Sequence, residues 1–143
     1  MEGSFSACNS LEYVNLKIPD KVKSLRGTFM QCEKLEEANL ILSEGLENMK
    51  QTFYYCTNFK KGPDVIPASV TNMLQTFQGD TKLTGEMTIK ASPTEYSNVF
   101  RNAITGENVR LIIRSGENNL EFLKNMLKSE YYQKENIIGE WEL

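Results

Sequence analysis

The stretch that decides the fold is residues 18–35: Ile18-Pro19-Asp20-Lys21-Val22-Lys23-Ser24-Leu25-Arg26-Gly27-Thr28-Phe29-Met30-Gln31-Cys32-Glu33-Lys34-Leu35. Its apolar and small positions return every 24 residues. Phe5, Phe29, Phe53 and Phe77 form one column, and Cys8, Cys32 and Cys56 another, in which Asp80 takes the fourth place. Leu11, Leu35, Phe59 and Leu83 follow at the same interval. Ser4, Thr28, Thr52 and Thr76 precede the phenylalanines, and Met1, Leu25, Met49 and Met73 open each unit. Val22, Leu46 and Val70 stand three residues before the last three of these. Six columns in one register define an internal repeat. A fifth unit has one residue deleted: Tyr96-Ser97-Asn98-Val99-Phe100 matches Met73-Leu74-Gln75-Thr76-Phe77 at a spacing of 23, with Ala103 in the cysteine column and Gly106 in the leucine column.

Two periods alternate inside each unit. Val14, Leu16 and Ile18 recur at every second residue, as in a strand with one buried face. Ala38, Leu40 and Leu42 repeat this, then Gly85, Met87 and Ile89, then Val109, Leu111 and Ile113. The third copy, Gly62, Asp64 and Ile66, is imperfect, and Pro63 and Asp64 predict a bulge or a change of register there. Val22, Leu25, Phe29, Cys32 and Leu35 then follow at spacings of three and four, which predicts a short helical or 3₁₀ stretch. One strand and one short turn of helix cannot bury an apolar face alone, but stacked copies can. The expectation is an α/β repeat: a short right-handed solenoid with a parallel sheet on its concave side, built from repeats of about 24 residues.

These residues resemble the BspA-type, or Treponema-type, leucine-rich repeats of bacterial surface proteins. The shared pattern is Ile-Pro, then Val, then Met/Leu-x-x-Thr-Phe-x-x-Cys-x-x-Leu. It is seen in Ile18-Pro19 through Leu35 and, with Asp80 replacing the cysteine, in Ile66-Pro67 through Leu83. The resemblance covers about residues 1–114 and implies a leucine-rich-repeat solenoid, display at the cell surface, and adhesion to host proteins, other microbes or glycans. Asp80, Ala103 and Asp64 depart from the pattern.

Composition narrows the chemistry. Among 143 residues there is no histidine, which excludes a histidine base, a Ser-His-Asp or Cys-His arrangement, and every zinc site that needs imidazole. Sixteen basic and nineteen acidic residues leave a net charge of −3, which supplies no general attraction to nucleic acid or an anionic membrane. Three cysteines cannot all pair, and their expected place is a buried column of thiols. A bridge between neighbouring copies, Cys8–Cys32 or Cys32–Cys56, is sterically conceivable because stacked copies lie about 5 Å apart. No apolar run approaches the ~18 residues of a membrane span, and Met1-Glu2-Gly3-Ser4 lacks the features of a secretory signal. The nearest carboxylate pairs, Glu36-Glu37 and Glu140/Glu142, read as solvated, so the chain is expected to be neither an enzyme nor a carrier of cofactor or metal.

Residues 1–114 are expected to form the solenoid and 115–143 its cap. The chain starts mid-repeat, which reads as a cut from a longer array, or alternatively as an open edge that pairs with another molecule. At the other end, residues 117 to about 131 read as a helix, with Leu120, Leu123, Leu127 and Tyr131 on one face, Phe122 and Met126 widening it, and Ser115 or Asn118 as N-cap. The tail Ile137–Leu143 is apolar enough to pack back as an extra strand. Tyr54 and Tyr55 lie outside the aromatic column, and one of them is expected to be exposed.

The candidate interaction surface is the outward side of the sheet. Alternation assigns it Tyr13, Asn15 and Lys17, then Glu37, Asn39 and Ile41, then Pro63 and Val65, then Thr84, Glu86 and Thr88, then Asn108, Arg110, Ile112 and Arg114. One column is expected to run Lys17, Ile41, Val65, Thr88, Ile112. Its branched aliphatics have two readings: plain strand propensity, or a protein-binding stripe. The function expected from the resemblance is a non-enzymatic interaction module that takes a protein or glycan ligand. The alternative is a structural spacer with no ligand of its own.

Overall fold

The computed structural model of the chain describes residues 1–129 and 136–143. The protein is a parallel-sheet β-solenoid of about five turns with one short helix. Strands β1 (Tyr13–Lys17), β2 (Glu37–Ile41), β3 (Val65–Ile66), β4 (Gly85–Ile89) and β5 (Leu111–Ser115) come one per turn. Helix α1 (Leu120–Ser129) and strand β6 (Ile137–Gly139) follow, and a 3₁₀ turn at Glu140–Glu142 ends the chain. Neighbouring turns of chain are parallel, as the repeat requires: Tyr13 pairs with Glu37 and Lys17 with Ile41.

The segment between strands is not helical. Residues 25–32 make successive i→i+3 turns, closed by Thr28 N–H to Leu25 C=O (3.0 Å) and Cys32 N–H to Phe29 C=O (3.1 Å). The third residue of each turn has positive φ, the signature of a type II turn: Gly27 at 59° and Gln31 at 58°. Both positions recur through the solenoid, one as Gly3, Gly27, Gln51, Gln75 and Asn98, the other as Ala7, Gln31, Tyr55, Gly79 and Asn102. A left-handed residue twice per turn stops helix propagation, so the spacing of three and four here reflects turns. These turns also stack through their own ladder, with Phe5, Phe29, Phe53 and Phe77 each donating its N–H to the turn that follows.

The columns become the core. Phe5, Phe29, Phe53, Phe77 and Phe100 form a continuous stack with ring centroids 5.4–5.6 Å apart, and Phe59 adds a ring 4.5 Å from Phe53. Thr52 and Thr76 are buried beside it, each donating its hydroxyl to carbonyls of its own and the preceding turn. The cysteines are free. Cys32 and Cys56 are buried, with each Sγ donating to the carbonyl of Phe5 (2.9 Å) or Phe29 (3.0 Å).

Two strand registers depart from expectation. Thr84 N–H still reaches Lys60 C=O at an offset of 24, but Val65 pairs with Thr88 at 23, so one extra residue sits in the third copy. It bulges at Gly62-Pro63-Asp64, burying Pro63 and turning Asp64 to solvent, the reverse of simple alternation. Pro63 has no N–H for the ladder with β2, and the sheet divides there into a two-stranded part, β1-β2, and a four-stranded part, β3-β4-β5-β6. The second departure is a slip of two: Glu86 pairs with Ile112 and Thr88 with Arg114, an offset of 26 where 24 was expected. A shift of two keeps the same side chains inward, so Leu111 and Ile113 are buried, but Ile112 leaves the expected column.

The cap covers the last turn. Helix α1 starts at Leu120, later than expected, and the carbonyl of Asn119 accepts its first internal bond, from Leu123 N–H (3.0 Å). The N-terminal residue is therefore Asn119, not Ser115 or Asn118, and its side chain turns back into the solenoid. Asn119 Nδ2 donates to the carbonyls of Ile89 and Ala91 (both 2.8 Å), and Oδ1 accepts from Gly116 N–H (2.7 Å). Leu123 and Met126 are buried, and Phe122 meets Tyr96 edge-on. The tail adds β6 as a further parallel strand on β5. The expected helical position of Tyr131 lies outside the described residues.

Candidate functional site: the outward face of the sheet

Inward residues of β1 and β2 alternate with exposed ones, which places Tyr13, Asn15, Lys17, Glu37, Asn39 and Ile41 together on one outward face. Val65 continues it across the bulge. Tyr13 is 60% exposed, Ile41 62% and Val65 39%. With Phe5 and Leu143, these three make up the exposed large hydrophobic residues of the described chain. Tyr13 stands opposite Glu37 at one end of the β1-β2 pair and Ile41 opposite Lys17 at the other, so the two flank the face. Between them Asn39 Nδ2 donates to Asn15 Oδ1 (3.3 Å), an amide pair stacked across adjacent turns. At the border of this half, Lys60 Nζ lies 2.8 Å from Glu36 Oε2. The hydrogen bond from Lys60 holds the Glu36 carboxyl below its usual value, and Glu36 raises the lysine in return. Glu36 therefore pairs with a cation rather than with Glu37.

The other half of the face is ionic. Arg114 Nη1 meets Glu140 Oε2 at 2.6 Å, while Nη2 and Nε both lie 3.1 Å from Glu86 Oε2. One guanidinium thus joins β4, β5 and the C-terminal turn, and the hydrogen bond it donates to Glu86, then the one it donates to Glu140, pushes its proton affinity up. Such forked pairs fix geometry well. Glu86 and Arg114 accordingly form a braced end of the face, with Thr88 opposite Arg114 in the strand register. Ile112 is half-buried opposite Glu86, so it does not extend the stripe of Ile41 and Val65. Arg110 stands before β5 with its side chain exposed, and its carbonyl accepts from Gly85 N–H and the Thr84 hydroxyl.

A cleft of about 910 Å³ opens at the ends of the strands, beside the braced half. Glu44, Thr88, Lys90, Ser115, Asn118 and Glu140 line it. Sequence reasoning missed this cleft, because its walls come from loops and cap residues far apart in the chain. The one signal was Glu140, which the tail brings back onto β5.

The remaining candidates are structural. Tyr54 and Tyr55 are both half-buried, with rings edge-to-face at 4.7 Å, so neither is the expected exposed residue. The Tyr55 ring lies over Gly79, where a Cβ would stand 2.7 Å from Cδ1. Burial pushes the Cys32 and Cys56 thiols up, so neither is poised as a thiolate. Among the described residues no three His, Cys, Asp or Glu side chains converge as metal ligands would, and no helix is long and apolar enough to cross a membrane. Comparison with family models, with curated proteins and with solved structures returns no match.

Proposed function

We propose that this chain is a leucine-rich-repeat module of the BspA type, part of a bacterial surface protein, and that it recognises a protein or glycan partner non-enzymatically. The observation that carries the reading is the grouping of Tyr13, Ile41 and Val65 on one outward sheet face, around the Asn15–Asn39 amide pair. Exposed aromatic and branched side chains on strands paired to their neighbours are already ordered, so binding costs little conformational entropy. Tyrosine also supplies apolar area and a polar tip in one side chain, which suits a contact residue. The surface assignment rests on the Thr-Phe-x-x-Cys-x-x-Leu pattern described above.

Beads coated with the chain, applied to host or microbial cells, test this reading. The wild-type chain is expected to retain beads in a saturable way that soluble chain competes. The double variant Ile41→Lys, Val65→Lys keeps the fold, because both side chains face water, and is expected to reduce retention at least tenfold. Equal retention by wild type and variant would contradict recognition through this face. No retention by either would favour a spacer that presents another domain.

A further inference from the structure

The fourth place in the cysteine column holds the one buried acid among the described residues. Asp80 is fully buried. Its Oδ1 accepts from Cys56 N–H at 2.9 Å, while Oδ2 is buried without a partner. The titratable group facing it is the Cys56 thiol of the preceding turn. The following turn presents Ala103 and Ile104, both buried and apolar, and the neighbouring cations Lys82 and Arg101 are exposed. Among the described residues no cation compensates a charge at this site, and an uncompensated buried carboxylate is among the costliest groups a fold can hold.

The column itself shows what the position requires. Cys32 Sγ donates to Phe5 C=O and Cys56 Sγ to Phe29 C=O, in each case 27 residues back. The same step from Asp80 leads to Phe53 C=O. A thiol can donate there, a carboxylate cannot, and a carboxylic acid can. We propose that Asp80 is carried in the fold as a neutral acid that donates its proton to the Phe53 carbonyl, so that the joint between the third and fourth turns loosens when this proton is lost. The carboxyl then copies the cysteine with one oxygen and caps Cys56 N–H with the other. Burial favours the protonated form, which agrees in direction. The folded chain holds a proton that the unfolded chain releases near the ordinary Asp value of about 3.9. The stabilisation is therefore complete below that pH and is lost as pH rises towards the folded value.

The chain has three aspartates, Asp20, Asp64 and Asp80, and the first and last positions are easily distinguished by burial. Carboxyl-¹³C aspartate labelling of the full chain at pH 6 is expected to show one protonated resonance that disappears in Asp80→Asn. Urea unfolding from pH 4 to 8 provides the second readout. Relative to Asp80→Asn and Asp80→Cys, the wild-type unfolding constant should rise about tenfold per pH unit above pH 4 until the folded value is reached. Both variants, which supply a permanent donor, should be more stable than wild type at pH 7. An ionised Asp80 resonance at pH 6, or wild-type and Asp80→Asn profiles that run parallel, would overturn the proposal.

Discussion

Removing one ring from the aromatic stack measures how the solenoid is held together. Phe53 is fully buried and stacked on Phe29, Phe77 and Phe59, whereas Phe5 is 38% exposed and stacked on Phe29 alone. A phenylalanine buries about 170 Å², which at about 25 cal/mol per Å² gives roughly 4 kcal/mol for Phe53→Ala. An enclosed cavity between two turns adds to this, so the expected cost is about 4–5 kcal/mol, at the upper end for Phe→Ala. At Phe5 about three-fifths of that area is buried and no closed cavity forms, which brings the expected cost to roughly 2.5 kcal/mol. Ordinary domains are stable by about 5–15 kcal/mol, so Phe53→Ala should leave the chain close to unfolding while Phe5→Ala should not. Equilibrium urea unfolding followed by far-UV circular dichroism and Trp141 fluorescence reads both. Equal costs within about 0.5 kcal/mol, or a Phe53 cost below about 1.5 kcal/mol, would refute the reasoning that stacked turns carry the stability.

Two further substitutions test local devices. Gly79→Ala places a methyl 2.7 Å from the Tyr55 ring at a φ of +82° and should cost roughly 2–4 kcal/mol in urea unfolding; adding Tyr55→Ala should recover the steric part but not the backbone part. Asn119→Leu strands the carbonyls of Ile89 and Ala91 and the N–H of Gly116, and should cost about 3 kcal/mol with faster proteolysis at the cap, whereas a value within 0.5 kcal/mol of wild type would remove Asn119 as the anchor.

The repeat was legible because its columns are chemically distinct: a phenylalanine, a threonine and a cysteine at fixed places each find their own copy in the next turn. The outward positions Tyr13, Asn15, Ile41 and Val65 were legible for the same reason, since a buried face leaves no freedom in the alternation. The turns were not. Gln31, Gln51 and Gln75 adopt positive φ without the glycine or asparagine that usually marks it, and only Gly3, Gly27, Gly79, Asn98 and Asn102 hinted at the two left-handed columns. The slip at β5 was hidden because the fifth unit replaces its leucine by Gly106, and the space is filled by Val109 instead. Asn119 could have been read as a helix cap, but its bonds to Ile89 and Ala91 join parts of the chain that no local pattern connects. The Arg114 brace was missed for the same reason, as Glu140 reaches β5 only once the tail has folded back.

The central claim is that the outward face, around Tyr13, Ile41 and Val65, is what the partner touches. Carbene side-chain footprinting of the chain alone and of the chain bound to the cells that retain the beads tests it most directly. The account predicts that labelling of Tyr13, Ile41 and Val65 falls several-fold in the complex while Phe5, Glu121 and Lys128 label as before. Unchanged labelling at Tyr13, Ile41 and Val65, with protection confined to α1 or the turn segments, would contradict it.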